Sequence, residues 1–302
     1  ENLLAFLFMT RFSQEYEPPQ NPVRFRDIWV NLPTYGLLGM RRRAGIVITP
    51  PCDLAQGKVE TITYLPIVSL GSYFSTSAFL PIVMRELRGQ LSSLQIDELP
   101  ISNGRFSLPS MEAMIRVEMR LHEIKSGQKT GAKEKASACK ATACLEILKK
   151  IHDGELSECG AQTVCDALGP KSAKILCENL IKNSHAIDLH FLPKDGQPTE
   201  WSAIEHHSLV LFRYPITAPV ELFDEAQEVG TRDWHSAVAR VAKKVPAAAA
   251  FAETRPMKRA LLKSGFFADL LTRYAAMHVR VGSPDFTQTT VGNYITDLGF
   301  QK

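Results

Sequence analysis

The sequence lacks the cysteine patterns that mark a structural zinc site. Its six cysteines include no C-x-x-C pair, and no His-x-x-x-His pattern follows them. A disulfide framework is not expected either, because a chain of 302 residues can bury an ordinary hydrophobic core without one. We therefore predict free thiols in a reducing cytoplasm, and neither a metal nor a cofactor.

A long hydrophobic run is also missing. The apolar run at residues 3–9 is far below the roughly 20 residues that a membrane span requires. No basic stretch precedes it and no small-residue cleavage site follows it, so it does not resemble a signal peptide. We predict instead a terminal strand or helix packed on the core, and we expect no membrane partner.

The sequence also has no large excess of charge of one sign. The net charge is only +3, which is too small to indicate a nucleic-acid partner by itself. The argument for such a partner therefore depends on where the basic residues cluster along the chain.

What the sequence does contain begins with strand-forming segments after a proline-rich linker at residues 15–22. These segments are rich in Ile, Val, Tyr, Trp and Thr and are bounded by Pro or Gly. Pro66 inside one of them suggests an edge, a bend or the end of pairing. The predicted strands are residues 25–31, 45–49, 61–69, 186–192 and 207–214.

Between and after these strands, apolar residues recur at helical spacing. The segment 126–137 is rich in Gly, Lys and Ser without an apolar anchor, and we predict a mobile loop there. In the last helix, apolar side chains repeat every four residues from Leu262 to Tyr274. The predicted helices are residues 78–94, 111–125, 138–152, 157–168, 172–183, 231–244 and 255–281.

Three pieces of the N-terminal region resemble the PemK/MazF family of toxin-like barrels. Residues 26–32 (RDIWVNL), 43–49 (RAGIVIT) and 65–69 (LPIVS) are similar, in order and spacing, to family segments GDIVWVDF, RPALVLS and APIT. The resemblance is confined to residues 26–69. It implies an SH3-like β-barrel that binds RNA in a loop-lined groove and cleaves it without a metal.

The same resemblance implies roles for individual positions. The family arginine corresponds to Arg43, although the proline that follows it in the family is replaced by Ala44. The family threonine corresponds to Val68, and Ser69 is the nearest hydroxyl. These departures leave the ribonuclease activity open.

We therefore predict an α+β fold in which a small SH3-like β-barrel is interrupted by a helical insertion and followed by C-terminal helices, since three strands alone would be marginally stable. Residues 157–192, inside the insertion, have the outline of a winged helix-turn-helix. The basic residues of its second helix are Lys171, Lys174 and Lys182. The predicted regions are residues 1–74 plus 185–224 for the barrel, 75–184 for the insertion and 225–302 for the C-terminal helices.

Two basic clusters are candidate nucleic-acid-binding residues. Arg41, Arg42 and Arg43 precede a strand, and guanidinium groups suit phosphate because they donate two parallel hydrogen bonds. A solvated turn is the alternative. The second cluster has helical spacing and would either follow a nucleic-acid backbone or form the wet side of packed helices. Its residues are Arg255, Lys258, Arg259 and Lys263.

Cys52 and Asp53 follow a strand end and form a third candidate. A thiol there would act as a nucleophile if His206 or His207 met it in space. Alternatively, Asp53 ties its loop through the backbone and Cys52 packs. Adjacent residues of a strand point to opposite faces, so His206 and His207 are not expected to share a metal ion.

The leading hypothesis is an RNA-directed, nucleic-acid-binding barrel protein with endoribonuclease activity. Its candidate catalytic residues are Arg43, Ser69, Cys52 and Asp53. The competing hypothesis is a non-catalytic interaction module of a bacterial toxin or defence system. The partner is RNA or DNA under the first hypothesis and a protein under the second. The clustered arginines favour the first, and the missing family threonine favours the second.

Overall fold

The computed structural model describes residues 12–97, 107–228 and 233–279, together with Leu99, Thr287 and 289–290. The fold is mixed α+β, as predicted. The apolar run at 3–9 lies outside the described residues. Within the described part of the chain, no helix has the length and apolar character that crossing a membrane demands. All six cysteines are free thiols.

Within the described residues, eight strands form one antiparallel sheet that is not closed. The strands are β1 (Tyr16–Glu17), β2 (Asp27–Leu32), β3 (Arg43–Val47), β4 (Thr61–Ser69), β5 (Leu189–Leu192), β6 (Ser208–Leu211), β7 (Ile216–Pro219) and β8 (Met257–Leu262). Their order is β1-β8-β2-β3-β4-β6-β5, and β7 also pairs with β4. The sequence indicates the positions of β2 to β6 but not those of β1, β7 and β8.

The long strand β4 changes its neighbour part-way along its length. Tyr64 pairs with Ile216 of β7, whereas Ile67 pairs with Val210 of β6. Pro66 has no N–H to donate and lies between these two stretches of pairing. The predicted end of pairing at Pro66 is therefore a change of partner within a continuous strand.

Most of the helical residues lie between β4 and β5 and share one hydrophobic core. The helices are α1 (Pro51–Ala55), α2 (Leu70–Tyr73), α3 (Leu80–Ser93), α4 (Met111–Ser126), α5 (Ala132–Asp153), α6 (Ala161–Leu168), α7 (Pro170–Ile181), α8 (Val220–Gln227), α9 (Trp234–Ala242) and α10 (Ser264–Val279), with a 3-10 turn at Pro246–Phe251. The helices predicted at 78–94, 111–125, 157–168 and 172–183 are confirmed with slightly shifted ends.

Helices cover both faces of the sheet. Ile28 and Ile46 belong to a core that α10 covers, whereas Trp29 and Val47, each one residue later, belong to a second core with α8 and α9. This division follows from the alternation of side chains along a strand. Because both faces are buried, β2 and β3 carry apolar residues on each side.

The prediction of one helix over residues 255–281 is wrong. Its first part is the strand β8, which pairs with both β1 and β2, and α10 begins only at Ser264. Ala260, Leu261 and Leu262 are all fully buried. A short run of consecutive apolar residues fits either a buried strand or a buried helix, and here pairing on both sides selects the strand.

The prediction of a loop over residues 126–137 is wrong for most of its length. Only residues 127–131 join α4 to α5, because α5 begins at Ala132. The carboxylate of Glu134 accepts a hydrogen bond from the backbone N–H of Gly131 at 3.0 Å. This bond satisfies a donor that the helix start would otherwise leave free, so the helix extends into a segment without a large apolar side chain.

The connection between α6 and α7 is the single residue Gly169, which has a φ of 84°. That conformation favours glycine because it has no Cβ. The turn of a helix-turn-helix motif has about three to four residues. The connection is therefore shorter than the motif predicted at 157–192 requires.

Candidate functional site

Arg43 and Ser69 lie at the same end of the β3–β4 strand pair. The two strands are antiparallel and Ala44 faces Ile67, so the first residue of β3 comes close to the last residue of β4. Ser69 also begins α2, because its Oγ accepts a hydrogen bond from the backbone N–H of Ser72 at 3.0 Å. The hydroxyl is therefore fixed by the N-terminal turn of a short helix.

The loop after α5 brings a carboxylate to this position. Both Ser69 Oγ and Ser72 Oγ donate hydrogen bonds to Glu158 Oε1, the second at 2.9 Å. Arg43 donates from its guanidinium to the backbone carbonyl oxygen of Glu155 at 3.2 Å. We call this group, formed by one guanidinium, one hydroxyl and one carboxylate around the same loop, the Arg43–Ser69–Glu158 site.

The environment of Arg43 is unusual for a surface arginine. Burial lowers the pKa of its guanidinium and the positive charge of Arg41 adds to this, while Glu155 and Glu158 act in the opposite direction. Its buried Nε has no hydrogen-bond partner among the described residues. Arg43 is thus a partly desolvated cation that has a donor left for a ligand. The Glu158 carboxylate in the same site is exposed to solvent.

Gly71 makes room for the Glu158 carboxylate. A Cβ built on Gly71 would overlap Glu158 Oε2, so any larger residue must displace the carboxylate from its hydroxyl partners. Sequence reasoning missed Gly71, Ser72 and Glu158. A serine three residues after Ser69, directly past a strand, is a signal of a capped helix start that could have indicated Ser72. Glu158 carries no such signal.

Cys52 and Asp53 do not belong to this site. They lie in α1 beyond the other end of β3, where Thr49 Oγ1 accepts a hydrogen bond from the backbone N–H of Thr63. The six residue-to-residue steps of β4 from Thr63 to Ser69 span about 20 Å at roughly 3.3 Å per step. The four predicted catalytic residues therefore form two separate pairs, and only Arg43 and Ser69 come together.

The condition for a nucleophilic Cys52, a meeting with His206 or His207, is not fulfilled for the same reason. The backbone carbonyl oxygen of His207 accepts a hydrogen bond from Leu70 N at 2.8 Å, so His206 and His207 lie at the Ser69 end of β4. Cys52 Sγ instead lies 3.6 Å from Asp53 Oδ1, and the thiol is exposed.

The loop that joins β2 to β3, residues 33–42, ends with the other two arginines of the first basic cluster. Arg41 is exposed, whereas Arg42 forms a salt bridge with Glu253 at 2.9 Å. The same loop exposes large apolar side chains, with Leu37 at 57% and Met40 at 73% of their full accessible area. The loop that leads into Arg43 therefore carries an exposed guanidinium as well as exposed apolar side chains.

The second basic cluster is not a helical face. Arg255 precedes β8 and donates hydrogen bonds to the carbonyl oxygens of Glu225 and Ala226 at the end of α8, at 3.1 and 2.9 Å. Arg255 therefore stabilises the C-terminus of a helix, where free carbonyls need donors. It is already engaged in a structural contact.

The other members of that cluster are also engaged. Lys258 is buried in a salt bridge with Asp27, with 3.2 Å between Nζ and Oδ2. The guanidinium of Arg259 lies 5.3 Å from the ring centre of Trp201. The prediction that Arg255, Lys258 and Arg259 form one basic stripe is therefore wrong, because a strand sends neighbouring side chains to opposite faces.

Comparison of the chain with models of protein families, with curated proteins and with solved structures finds no match.

Proposed function

We propose that the chain is an RNA-directed, nucleic-acid-binding protein built on a PemK/MazF-like, SH3-like barrel, and that the Arg43–Ser69–Glu158 site is its endoribonuclease centre. The observation that carries the proposal is the juxtaposition of Arg43 and Ser69, which bond to residues of one loop. The family resemblance selects Arg43 and Val68, and Ser69, the residue after Val68, is the nearest hydroxyl. The succession of β2, β3 and β4 in the sheet supports the barrel.

The three groups have the chemistry that RNA cleavage without a metal requires. In that reaction the ribose 2′-oxygen bonds to the adjacent phosphorus while the bond from phosphorus to the 5′-oxygen breaks. Ser69 takes the 2′-hydroxyl proton as it passes its own to the Glu158 carboxylate, which acts as general base. Arg43 stabilises the negative charge that develops on the phosphoryl oxygens, and the leaving 5′-oxygen takes a proton from solvent.

Arg41 and the exposed loop 33–42 would hold the RNA on either side of this centre. Arg41 donates to a backbone phosphate, and Tyr35 offers an exposed aromatic ring on which a base can stack. Cytoplasmic RNA is the expected substrate class.

The test measures binding and cleavage of labelled single-stranded RNA over a salt series in EDTA, with duplex DNA in parallel. We expect Arg43→Ala to weaken RNA binding about tenfold and to lower the slope of log affinity against log salt by about one. Glu158→Gln should abolish cleavage while binding persists. Arg120→Ala, which removes an exposed arginine on α4, is the control that should change neither. Absence of RNA binding at low salt would overturn the proposal.

A second function, a non-catalytic interaction module, is favoured by the exposed apolar residues of the same loop. The core of a protein interface is apolar and poor in charge. The exposed side chains of Leu37 and Met40 are typical of such a core and not of a surface that binds nucleic acid. Charge reversal at Arg41 separates the two functions. It should abolish RNA binding but leave a hydrophobic docking surface intact, whereas Leu37→Ser should do the reverse.

A further inference from the structure

A cleft of about 530 Å³ lies at the far end of α2 from Ser69. Its walls are the start of α3, the segment between α7 and β5, and the turn between β6 and β7. A neighbouring depression of about 350 Å³ shares Ile82, Arg85 and His185 with it, so the two form one continuous concave surface. Sites for small molecules have volumes of about 300–1,000 Å³.

The floor of the cleft is apolar, with one buried polar group facing into it. The apolar part comprises Ala78, Pro81, Ile82, Leu189 and Leu211. Tyr73 lines the same floor and is only 1% exposed, yet its hydroxyl has no hydrogen-bond partner among the described residues. Burial raises the pKa of Tyr73, so the phenol remains a donor at any physiological pH. The Tyr73 hydroxyl is open to the cleft, where a bound ligand can accept its hydrogen bond.

The charges around the cleft leave one cation uncompensated. Arg213 pairs with the carboxylate of Asp188. Arg85 projects from α3 and makes no hydrogen bond or salt bridge within the described part of the chain. Burial lowers the pKa of His185, so its imidazole is neutral at pH 7. Among the described residues, the cleft therefore holds one guanidinium without a carboxylate partner. The Glu86 carboxylate lines the neighbouring depression and accepts a hydrogen bond from the side-chain amide of Gln90 at 2.8 Å.

We propose that this cleft binds a small planar aromatic molecule that carries one anionic group, either a carboxylate or a phosphate. The anion pairs with Arg85, since a guanidinium donates two parallel hydrogen bonds to either group. The ring lies on the apolar floor between Ile82 and Leu211 and accepts a hydrogen bond from the hydroxyl of Tyr73. Tyr214 at the opposite wall adds a second aromatic surface.

This site is separate from the Arg43–Ser69–Glu158 site and does not depend on the activity proposed for it. The two are connected through α2, because Ser69 caps the start of that helix and Tyr73 is its last residue. The cleft could therefore be occupied whether or not the protein cleaves RNA.

Isothermal titration calorimetry on the full chain tests the proposal, with 4-hydroxybenzoate and adenosine 5′-monophosphate as anionic probes and adenosine as the matched neutral probe. We expect at least one anionic probe to bind and adenosine to bind at least tenfold more weakly. Arg85→Ala should lower the affinity for the anionic probe at least tenfold, which is the loss expected for a charge-assisted hydrogen bond. Tyr73→Phe keeps the packing and should lower the affinity for the same probe about fivefold.

Arg116→Ala, which removes an exposed arginine of α4 outside the cleft, is the control and should bind like the unmodified chain. Circular dichroism checks that each variant is folded, and Tyr214→Leu, which removes the second aromatic surface and should also weaken the anionic probe, replaces Tyr73→Phe if the latter is not. Three results would each overturn the proposal. The first is that neither anionic probe binds at millimolar concentration, and the second is that adenosine and its monophosphate bind equally. The third is that Arg116→Ala and Arg85→Ala lose the same affinity for the probe.

Discussion

Asp27 and Lys258 form a salt bridge inside the sheet, with 3.2 Å between Oδ2 and Nζ and side-chain exposures of 0% and 5%. The ammonium group also donates to the carbonyl oxygen of Pro22 at 2.8 Å and lies 5.6 Å from the ring centre of Trp29. The pair therefore ties the chain before β2 to the strand β8. This contact explains why Lys258, which the sequence suggests as a nucleic-acid-binding residue, has a structural role instead.

Lys258→Met should destabilise the protein by about 3–5 kcal/mol, because it leaves the Asp27 carboxylate buried without its cation. Urea denaturation followed by circular dichroism measures the free energy of unfolding. The double variant Asp27→Asn/Lys258→Met removes both charges and should recover most of the loss. A single-variant loss below about 1 kcal/mol would contradict a buried pair.

The same pair makes stability depend on pH. Burial outweighs the attraction of Lys258 and raises the pKa of Asp27 from 3.8 to about 6. Between these values the folded state holds more protons than the unfolded state, so the free energy of unfolding falls as pH rises from about 4 to 6. This contribution is fully present below the unfolded pKa, and its size is at most about 3 kcal/mol.

The corresponding measurement compares urea denaturation of the wild type and Asp27→Asn across that pH range. The variant cannot ionise at position 27 and should show a smaller fall. The comparison must be made between the two proteins because His190, whose pKa burial lowers to about 4, acts in the opposite direction. Identical slopes in the two proteins would rule out a raised pKa at Asp27.

Arg255→Ala should cost about 1–2 kcal/mol of stability and leave RNA affinity unchanged. The change removes the donors to the carbonyl oxygens of Glu225 and Ala226, which α8 leaves free at its C-terminus. Thermal denaturation and RNA titration on the same sample check both parts. A drop in RNA affinity comparable to that expected of Arg43→Ala would mean that Arg255 contacts the ligand.

Gly71→Ala should impair the Arg43–Ser69–Glu158 site without removing any of its functional groups. The added methyl group overlaps the Glu158 carboxylate and displaces it from Ser69 and Ser72. We expect RNA cleavage to fall at least tenfold while RNA binding through Arg43 persists. The matched control is Gly89→Ala, since a Cβ on Gly89 meets nothing within 4 Å. Equal cleavage rates in the two variants would exclude Glu158 from the reaction.

Asp195→Ala should destabilise the protein by about 2–4 kcal/mol. The carboxylate is fully buried and accepts hydrogen bonds from the backbone N–H groups of Gln197, Ala203 and Ile204 and from the hydroxyl of Ser202. Its removal leaves buried donors without an acceptor, which costs more than the loss of one bond. The free energy of unfolding in urea measures the effect, and a loss within 0.5 kcal/mol would contradict it.

The strands β2, β3 and β4 could be predicted because their β-branched and aromatic residues, and the Pro and Gly that bound them, are local signals. The strand β8 could not. Ala260, Leu261 and Leu262 precede a helix whose apolar spacing extends back to them, and the partner strands that select the extended form lie at the other end of the sequence.

The candidate site, too, could be predicted only in part. Arg43 and Ser69 lie on strands that the sequence indicates, and antiparallel pairing of neighbouring strands brings them together. Glu158 is 89 residues from Ser69 and belongs to a loop without periodic pattern, so only the packing of the helical region places it. Cys52 and Asp53 had the right residue types but lie at the wrong end of β3.

The position of β8 between β1 and β2 has a consequence for biosynthesis. Arg26 donates a hydrogen bond to the carbonyl oxygen of Leu262, which is translated 236 residues later. Until β8 is synthesised, β2 therefore lacks the strand that pairs with one of its edges, and such an edge can pair with another chain. The nascent protein is thus expected to need protection by chaperones until β8 leaves the ribosome.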